Sequence, residues 1–145
     1  MNFPLYPLKF EPIYEKAAWA GTNLADYVAP DPGRTKPPES TASSWELISD
    51  SANGKDSMVK NGPLSGRTLS SLVADAPNDL VGRRQRPGQP FPLCVRLLNA
   101  GKPQPLMVHP RHTVEIEGNR FPPNTKFWFS LKKKDPGLLA VGIRP

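Results

Sequence analysis

The sequence predicts a mostly β protein: a sandwich or partial barrel with one short helix and a long irregular N-terminal segment. Proline supplies 19 and glycine 11 of the 145 residues, which disfavours long helices and favours short strands with many turns. Short apolar runs in the second half alternate with turn signals, and a single stretch has helical periodicity.

The front of the chain is expected to be largely irregular. Prolines alternate with aromatic and aliphatic residues over 1–14, which predicts an extended segment with an edge strand near Leu8–Phe10. A short helix is expected around Leu24–Val28. Polar, proline-rich and glycine-rich composition predicts loops on either side of the strand SWELIS at 44–49, over residues 30–43 and 50–63.

The clearest helix lies within 65–81. Its apolar residues fall at i, i+3, i+4 and i+7 and form one face: Leu69, Leu72, Val73 and Ala76. Pro77 is expected to end or kink this helix, because proline lacks the N–H that the helical ladder needs.

Strand periodicity follows the polar, basic loop GRRQRPGQP. The apolar runs that predict strands are 92–98, 105–109, 113–117, 126–131 and 138–143. Turn signals separate these runs, among them Gly101-Lys102-Pro103, Gly118-Asn119, Pro122-Pro123 and Asp135-Pro136-Gly137. Several short strands with regular turns are typical of a sandwich or a barrel.

Charge is unevenly distributed along the chain. Residues 1–82 hold 7 Lys/Arg and 10 Asp/Glu, a net charge of −3, whereas residues 83–145 hold 12 Lys/Arg and 3 Asp/Glu, a net charge of +9. A basic half is compatible with nucleic acid or phosphorylated ligands, and a solvated basic face is the preferred interpretation.

Cysteine use and hydropathy restrict the class of protein. Cys94 is the single cysteine, so an internal disulfide and a cysteine-based zinc cluster are excluded; its apolar surroundings predict a buried, inert thiol. No apolar run reaches the ~18 residues that a membrane span needs. The first residues lack the charged and apolar regions of a signal peptide. A cytoplasmic protein without membrane association is expected.

Several segments together resemble the front part of the type I mannose-6-phosphate isomerases, a zinc-dependent cupin family. The segments are PLKFEPIYEKAAWAGTNLADY, SWEL, NGPLSGRTL, FPLCVRLL and VHP. The resemblance implies a single cupin-like domain over 1–145, either a sandwich or a partial jelly-roll barrel, truncated at its C-terminus relative to the family. It also implies the family reaction, in which mannose 6-phosphate and fructose 6-phosphate interconvert with the help of zinc.

The resemblance also implies a metal site that has lost most of its ligands. The family binds zinc through Gln-x-His, through the Glu of a Lys-x-Glu motif, and through a later His beyond this sequence. Here Met107 replaces the Gln, His109 is kept, and Asn124-Thr125-Lys126 replaces Lys-x-Glu. We therefore expect zinc to be absent or weakly bound, while Trp19 keeps the position of a family residue near the sugar. Catalytic residues stay unassigned.

Alternative sites and functions stay open from the sequence. A small group of ligand-type residues could form a different metal site: His109, His112, Glu115 and Glu117. The aromatic residues predicted to be core or half-core strand positions, rather than a platform for bases, are Trp45, Phe127, Trp128 and Phe129.

At the level of function, the leading hypothesis is an isomerase-like protein with weak or no activity whose family ligand is a hexose phosphate. The alternative is a non-catalytic cupin module that binds a sugar, a phosphate or a protein. A basic nucleic-acid-binding module is disfavoured. Self-association through an exposed sheet edge is a further expectation.

Overall fold

The structure is a computed structural model that describes residues 4–22, 24–28, 33–83, 88–107 and 109–131. The chain divides into two compact units, Met1–Gln104 and Pro105–Pro145. The strands in the described ranges are β1 Ile13–Lys16, β2 Thr41–Leu47, β3 Ser49–Asp50, β4 Lys55–Asp56, β5 Val95–Leu98, β6 Val114–Ile116 and β7 Asn119–Phe121. Two α-helices lie between β4 and β5: α1 Leu69–Asp75 and α2 Pro77–Leu80.

The first unit is built around a three-stranded antiparallel sheet in the order β1-β2-β5. The central strand β2 buries small polar residues instead of large apolar ones, with Ser43 and Ser44 fully buried. Both hydroxyls donate to carboxylates, Ser43 to Glu15 at 3.0 Å and Ser44 to Glu46 at 2.6 Å. Buried hydroxyls need such partners, so Glu15 and Glu46 satisfy polar groups that the sheet would otherwise bury without a hydrogen bond.

The apolar core of the first unit lies beside helix α1. Leu72 of α1 is fully buried and packs with Val59 and Leu64. Residues from the N-terminal segment and α2 cover this cluster, namely Tyr6, Leu8, Phe10 and Leu80. The helix begins after Thr68, whose hydroxyl accepts the Ser71 N–H at 3.3 Å, and ends before Pro77 as predicted.

The described part of the second unit contains the antiparallel hairpin β6-β7. Its turn is Glu117-Gly118, with positive φ angles of 50° and 77°. Two successive positive φ angles characterise a two-residue hairpin turn, and glycine adopts this conformation without steric cost. The predicted turn signal at Gly118-Asn119 therefore marks a real hairpin.

The prediction of a mostly β fold is confirmed, since the described residues form antiparallel sheets with few helices, consistent with a cupin-like fold. Several details were wrong. Residues 105–107 and 109 are not in a strand, because Pro103, Pro105 and Pro110 remove ladder donors. Phe10 forms only an isolated bridge with Val59, and the first strand starts after Pro12.

Other predictions about burial and strands also failed. Cys94 is exposed, because β5 begins only at the following residue. Phe127 and Phe129 are 82% and 86% exposed, and residues 126–131 are not in a strand. Within the described residues, these two aromatic side chains are therefore not part of the core. Trp45 is half-buried, as predicted. The predicted strand at 138–143 lies outside the described residues.

Candidate functional site

The residues assigned by the family resemblance fall into both units. Trp19 lies in the first unit, whereas Met107, His109 and Lys126 lie in the second. Met107 is 52% exposed, and His109 and Lys126 are exposed. Met107 and His109 lie in a segment that is not a strand, so the alternation of side chains along a strand does not place them on one face.

Backbone hydrogen bonds attach the Trp19 segment to the end of β5. The Gly101 N–H donates to the Trp19 carbonyl at 2.9 Å, and the Gly21 N–H donates to the Asn99 carbonyl at 2.8 Å. The Asn99 side-chain amide donates in turn to the carbonyls of Gly21 and Thr41, both at 2.9 Å. A Cβ on Gly21 would lie 2.5 Å from the Asn99 Oδ1, so the close approach requires glycine here.

In the second unit, the structure brings His109 and Lys126 into direct contact. The Lys126 Nζ lies 2.5 Å from the His109 Nε2. An ammonium can only donate, so in this contact Nε2 accepts and its lone pair faces lysine. A nitrogen engaged in this way cannot bind a metal ion at the same time.

The donor set at these positions does not fit a zinc centre. Zinc sites in proteins use Cys, His and carboxylate ligands, and a Met thioether is a soft, weak substitute. The position that the resemblance assigns to the carboxylate ligand holds the Lys126 ammonium, which would repel a cation. The alternative cluster of His109, His112, Glu115 and Glu117 is not brought together, because within the described ranges no three His, Cys, Asp or Glu residues form a potential metal site.

A cavity of about 420 Å³ lies beside this contact. It is open to solvent and lined by His109, Pro110, Arg111, Pro123, Asn124 and Thr125. Asn124 and Thr125 line it together with His109, whereas Met107 and Lys126 are not among its lining residues. Sequence reasoning missed Arg111; its signal was the basic pair that follows the VHP segment, Arg111-His112.

The first unit contains a charged cluster that the sequence did not reveal. Glu15 accepts from the Lys55 Nζ at 2.8 Å and from the Arg96 Nη2 at 3.0 Å. The Arg96 guanidinium lies 4.3 Å from the centre of the Trp45 ring, and the Lys55 Nζ lies 5.5 Å from it. The register pairs Glu15 with Ser43 and Trp45 with Arg96, and this pairing of distant segments creates the cluster.

The electrostatics of Glu15 follow from these neighbours. Burial opposes its ionisation, but the hydrogen bonds of Lys55 and Ser43 outweigh that penalty and hold the pKa of the carboxyl below its ordinary value of 4.5. Glu15 therefore acts as a structural anion that joins β1 to β2, β4 and β5.

A second ion pair joins the segment before β2 to the sheet. Arg34 donates to both oxygens of Glu46, at 3.0 and 2.7 Å. This bidentate hydrogen bonding raises the pKa of the Arg34 guanidinium despite its partial burial. Because the two charged groups bind each other, we interpret this ion pair as a structural contact that holds the segment before β2 against the sheet.

The fold and the site thus define a mostly antiparallel β protein with a cationic cleft in its second unit. No protein-family model matches the chain. Individual relatives do: the probable mannose-6-phosphate isomerase GmuF of Bacillus subtilis (strain 168) is 34% identical over 138 residues, covering 94% of this chain and 41% of that protein. The mannose-6-phosphate isomerase ManA of the same organism is 34% identical over 135 residues, covering 92% of this chain and 40% of that protein.

A solved structure supports the same relationship. The crystal structure of the mannose 6-phosphate isomerase from Bacillus subtilis matches with a TM-score of 0.51 and 34% identity, over 65% of this chain and 27% of that one. The chain is therefore homologous to mannose-6-phosphate isomerases along nearly its whole length, and the predicted resemblance is confirmed. It spans about two fifths of the length of these relatives. Within the described residues, no helix is long and apolar enough to cross a membrane.

Proposed function

We propose that this chain is a mannose-6-phosphate isomerase homologue that recognises hexose phosphate in the cytoplasm, holds no stoichiometric zinc and has little or no isomerase activity on its own. The observation that carries the proposal is the 2.5 Å contact between the Lys126 Nζ and the His109 Nε2. It puts a cation against the only family ligand that the sequence keeps.

The chemistry of the family reaction explains why this substitution matters. Moving a proton between adjacent carbons of a sugar requires stabilisation of the charge that develops on the carbonyl oxygen. In the family, zinc would supply this stabilisation as a Lewis acid. In this chain, His109 is the remaining assigned ligand. The Arg111 guanidinium beside it can only donate hydrogen bonds, and the Asn124 amide could add at most one neutral oxygen.

The test is the metal content and isomerase activity of the protein, purified without chelator. We expect a zinc-to-protein ratio well below one, and turnover of mannose 6-phosphate close to the background of a coupled assay. A 1:1 zinc ratio together with turnover would overturn the proposal.

A variant sharpens this experiment. Met107→Gln with Lys126→Glu rebuilds three of the four family ligands and removes a repulsive cation, so zinc affinity should rise in calorimetry. Turnover should stay low, since the two substitutions restore metal ligands only, whereas acid–base and charge-stabilising groups typically contribute ~10²–10⁴-fold each. The matched control is Leu106→Gln with Arg120→Glu, which makes the same chemical changes at exposed positions outside the cleft. Equal zinc binding by both double variants would show that Met107 and Lys126 are not the family ligand positions.

A further inference from the structure

We infer that the cleft at His109 binds the phosphate group of a phosphate monoester at the place where the family would hold its metal. The inference rests on the proposed function for the identity of the ligand, but its physical basis is separate. It depends on the cleft's volume, charge and hydrogen-bond donors.

The size of the cleft suits a small ligand. Its volume of about 420 Å³ falls within the roughly 300–1,000 Å³ that is usual for small-molecule sites. The wall combines two proline rings with four residues that have polar side chains. Such a mixture of rigid apolar surface and a few polar groups is typical of sites that orient a ligand.

The charge of the cleft favours an anion. Among its six lining residues none is Asp or Glu, while Arg111 supplies a guanidinium and Lys126 contacts the His109 ring at its edge. Guanidinium donors match the geometry of phosphate oxygens and can bind two of them at once. A lysine adds a compact positive charge that also binds phosphate.

Neutral donors complete the arrangement. Asn124 carries an amide that can donate two hydrogen bonds, and Thr125 carries a hydroxyl that can donate one. Both lie within two residues of Lys126. A single short segment therefore brings an amide and a hydroxyl to the cleft and an ammonium to His109, one of its lining residues. The same substitutions that remove the family's metal ligands therefore create a set of donors for an oxyanion.

The experiment is an NMR titration of the full chain with inorganic phosphate, mannose 6-phosphate and unphosphorylated mannose. We expect saturable shifts centred on His109, Asn124 and Thr125 with both phosphate ligands, and none with mannose. Tighter binding of mannose 6-phosphate than of inorganic phosphate would identify a sugar phosphate as the ligand, and equal binding would identify the free anion. Absence of saturable shifts with both phosphate ligands would overturn the inference.

Variants separate a specific site from bulk charge. Arg111→Ala and Lys126→Ala should each weaken binding about two- to fivefold, as expected for exposed charged contacts, and Lys126→Arg should restore it. The control is Arg120→Ala, which removes one positive charge from the same unit at an exposed position outside the cleft. Equal weakening by all three alanine variants would refute a defined site. Loss of phosphate binding at this cleft leaves the zinc and activity results untouched, so the phosphate site and the loss of the metal site are tested separately.

Discussion

Replacing Leu72 by alanine should cost the first unit a large part of its stability. Leu72 is 0% exposed and packs against Val59, which is 1% exposed, and Leu64, which is 7% exposed. Leu→Ala changes at buried sites cost roughly 2–5 kcal/mol, from lost apolar transfer and from the cavity that remains. Because Leu72 is fully buried, we expect a value of about 3 kcal/mol, within that range.

A loss of about 3 kcal/mol is a large part of the free energy of unfolding expected for the first unit. A unit of about 100 residues has a net stability of roughly 5–15 kcal/mol. At about 4–8 °C for each kcal/mol, the melting temperature should fall by roughly 12–24 °C. With a urea dependence of about 1–3 kcal/mol per molar, the midpoint should fall by about 1–3 M, with an unchanged slope.

The assay is urea and thermal unfolding followed by far-ultraviolet circular dichroism. The matched control is Leu5→Ala in the same unit, where the leucine is 75% exposed and the change should stay within about 0.5 kcal/mol. If Leu72→Ala costs less than about 1 kcal/mol, or no more than Leu5→Ala, the helix α1 core is not packed as described.

Two further predictions concern charge and backbone geometry in the first unit. The lowered pKa of Glu15 means that its ionised form contributes stability above about pH 4.5, and this contribution is lost as pH falls below that value. In urea unfolding, the difference in free energy of unfolding between the native chain and Glu15→Gln should therefore shrink from about pH 7 toward about pH 3. A constant difference would contradict the reasoning. Gly62→Ala should lower the free energy of unfolding by roughly 1–3 kcal/mol more than Gly54→Ala. Both glycines have positive φ, 64° and 69°, so the backbone strain is matched. Of the two, only a Cβ at Gly62 would meet the Tyr6 ring, at 2.6 Å. Equal melting temperatures for the two glycine variants would exclude that contact.

Local signals in the sequence predicted local structure well. The apolar spacing of Leu69, Leu72 and Val73 identified helix α1, and Pro77 marked its end. Gly118 marked the β6-β7 turn. These features depend on backbone preferences that each residue carries with it, so neighbouring residues suffice to recognise them.

Features that depend on distant pairing were not predictable in the same way. Strand β2 begins at Thr41, inside a stretch that composition assigned to a loop, because its buried Ser43 gains partners from distant segments, at Glu15 and Arg96. The hairpin β3-β4 was likewise assigned to a loop.

At the candidate site, too, the sequence identified individual residues but not the contacts that the fold creates between them. The resemblance selected Met107, His109, Asn124 and Lys126, while the contact between Lys126 and His109 and the role of Arg111 emerge only from three-dimensional proximity. Whether Trp19 serves the sugar, and whether 1–145 forms a single domain, stay predictions.

The assembly of the three-stranded sheet has a consequence for how the chain folds. Its strands come from three widely separated segments, and the contacts that join them span long loops: 81 residues separate Arg96 from Glu15, and 78 separate Asn99 from Gly21. Closing such loops costs entropy before any contact compensates for it, which slows folding. Helix α1 is local and can form early, whereas β5 docks late. During synthesis, β2 therefore leaves the ribosome well before its partner β5, and the hydrogen bond from Arg96 to Ser43 forms only after that strand has been made.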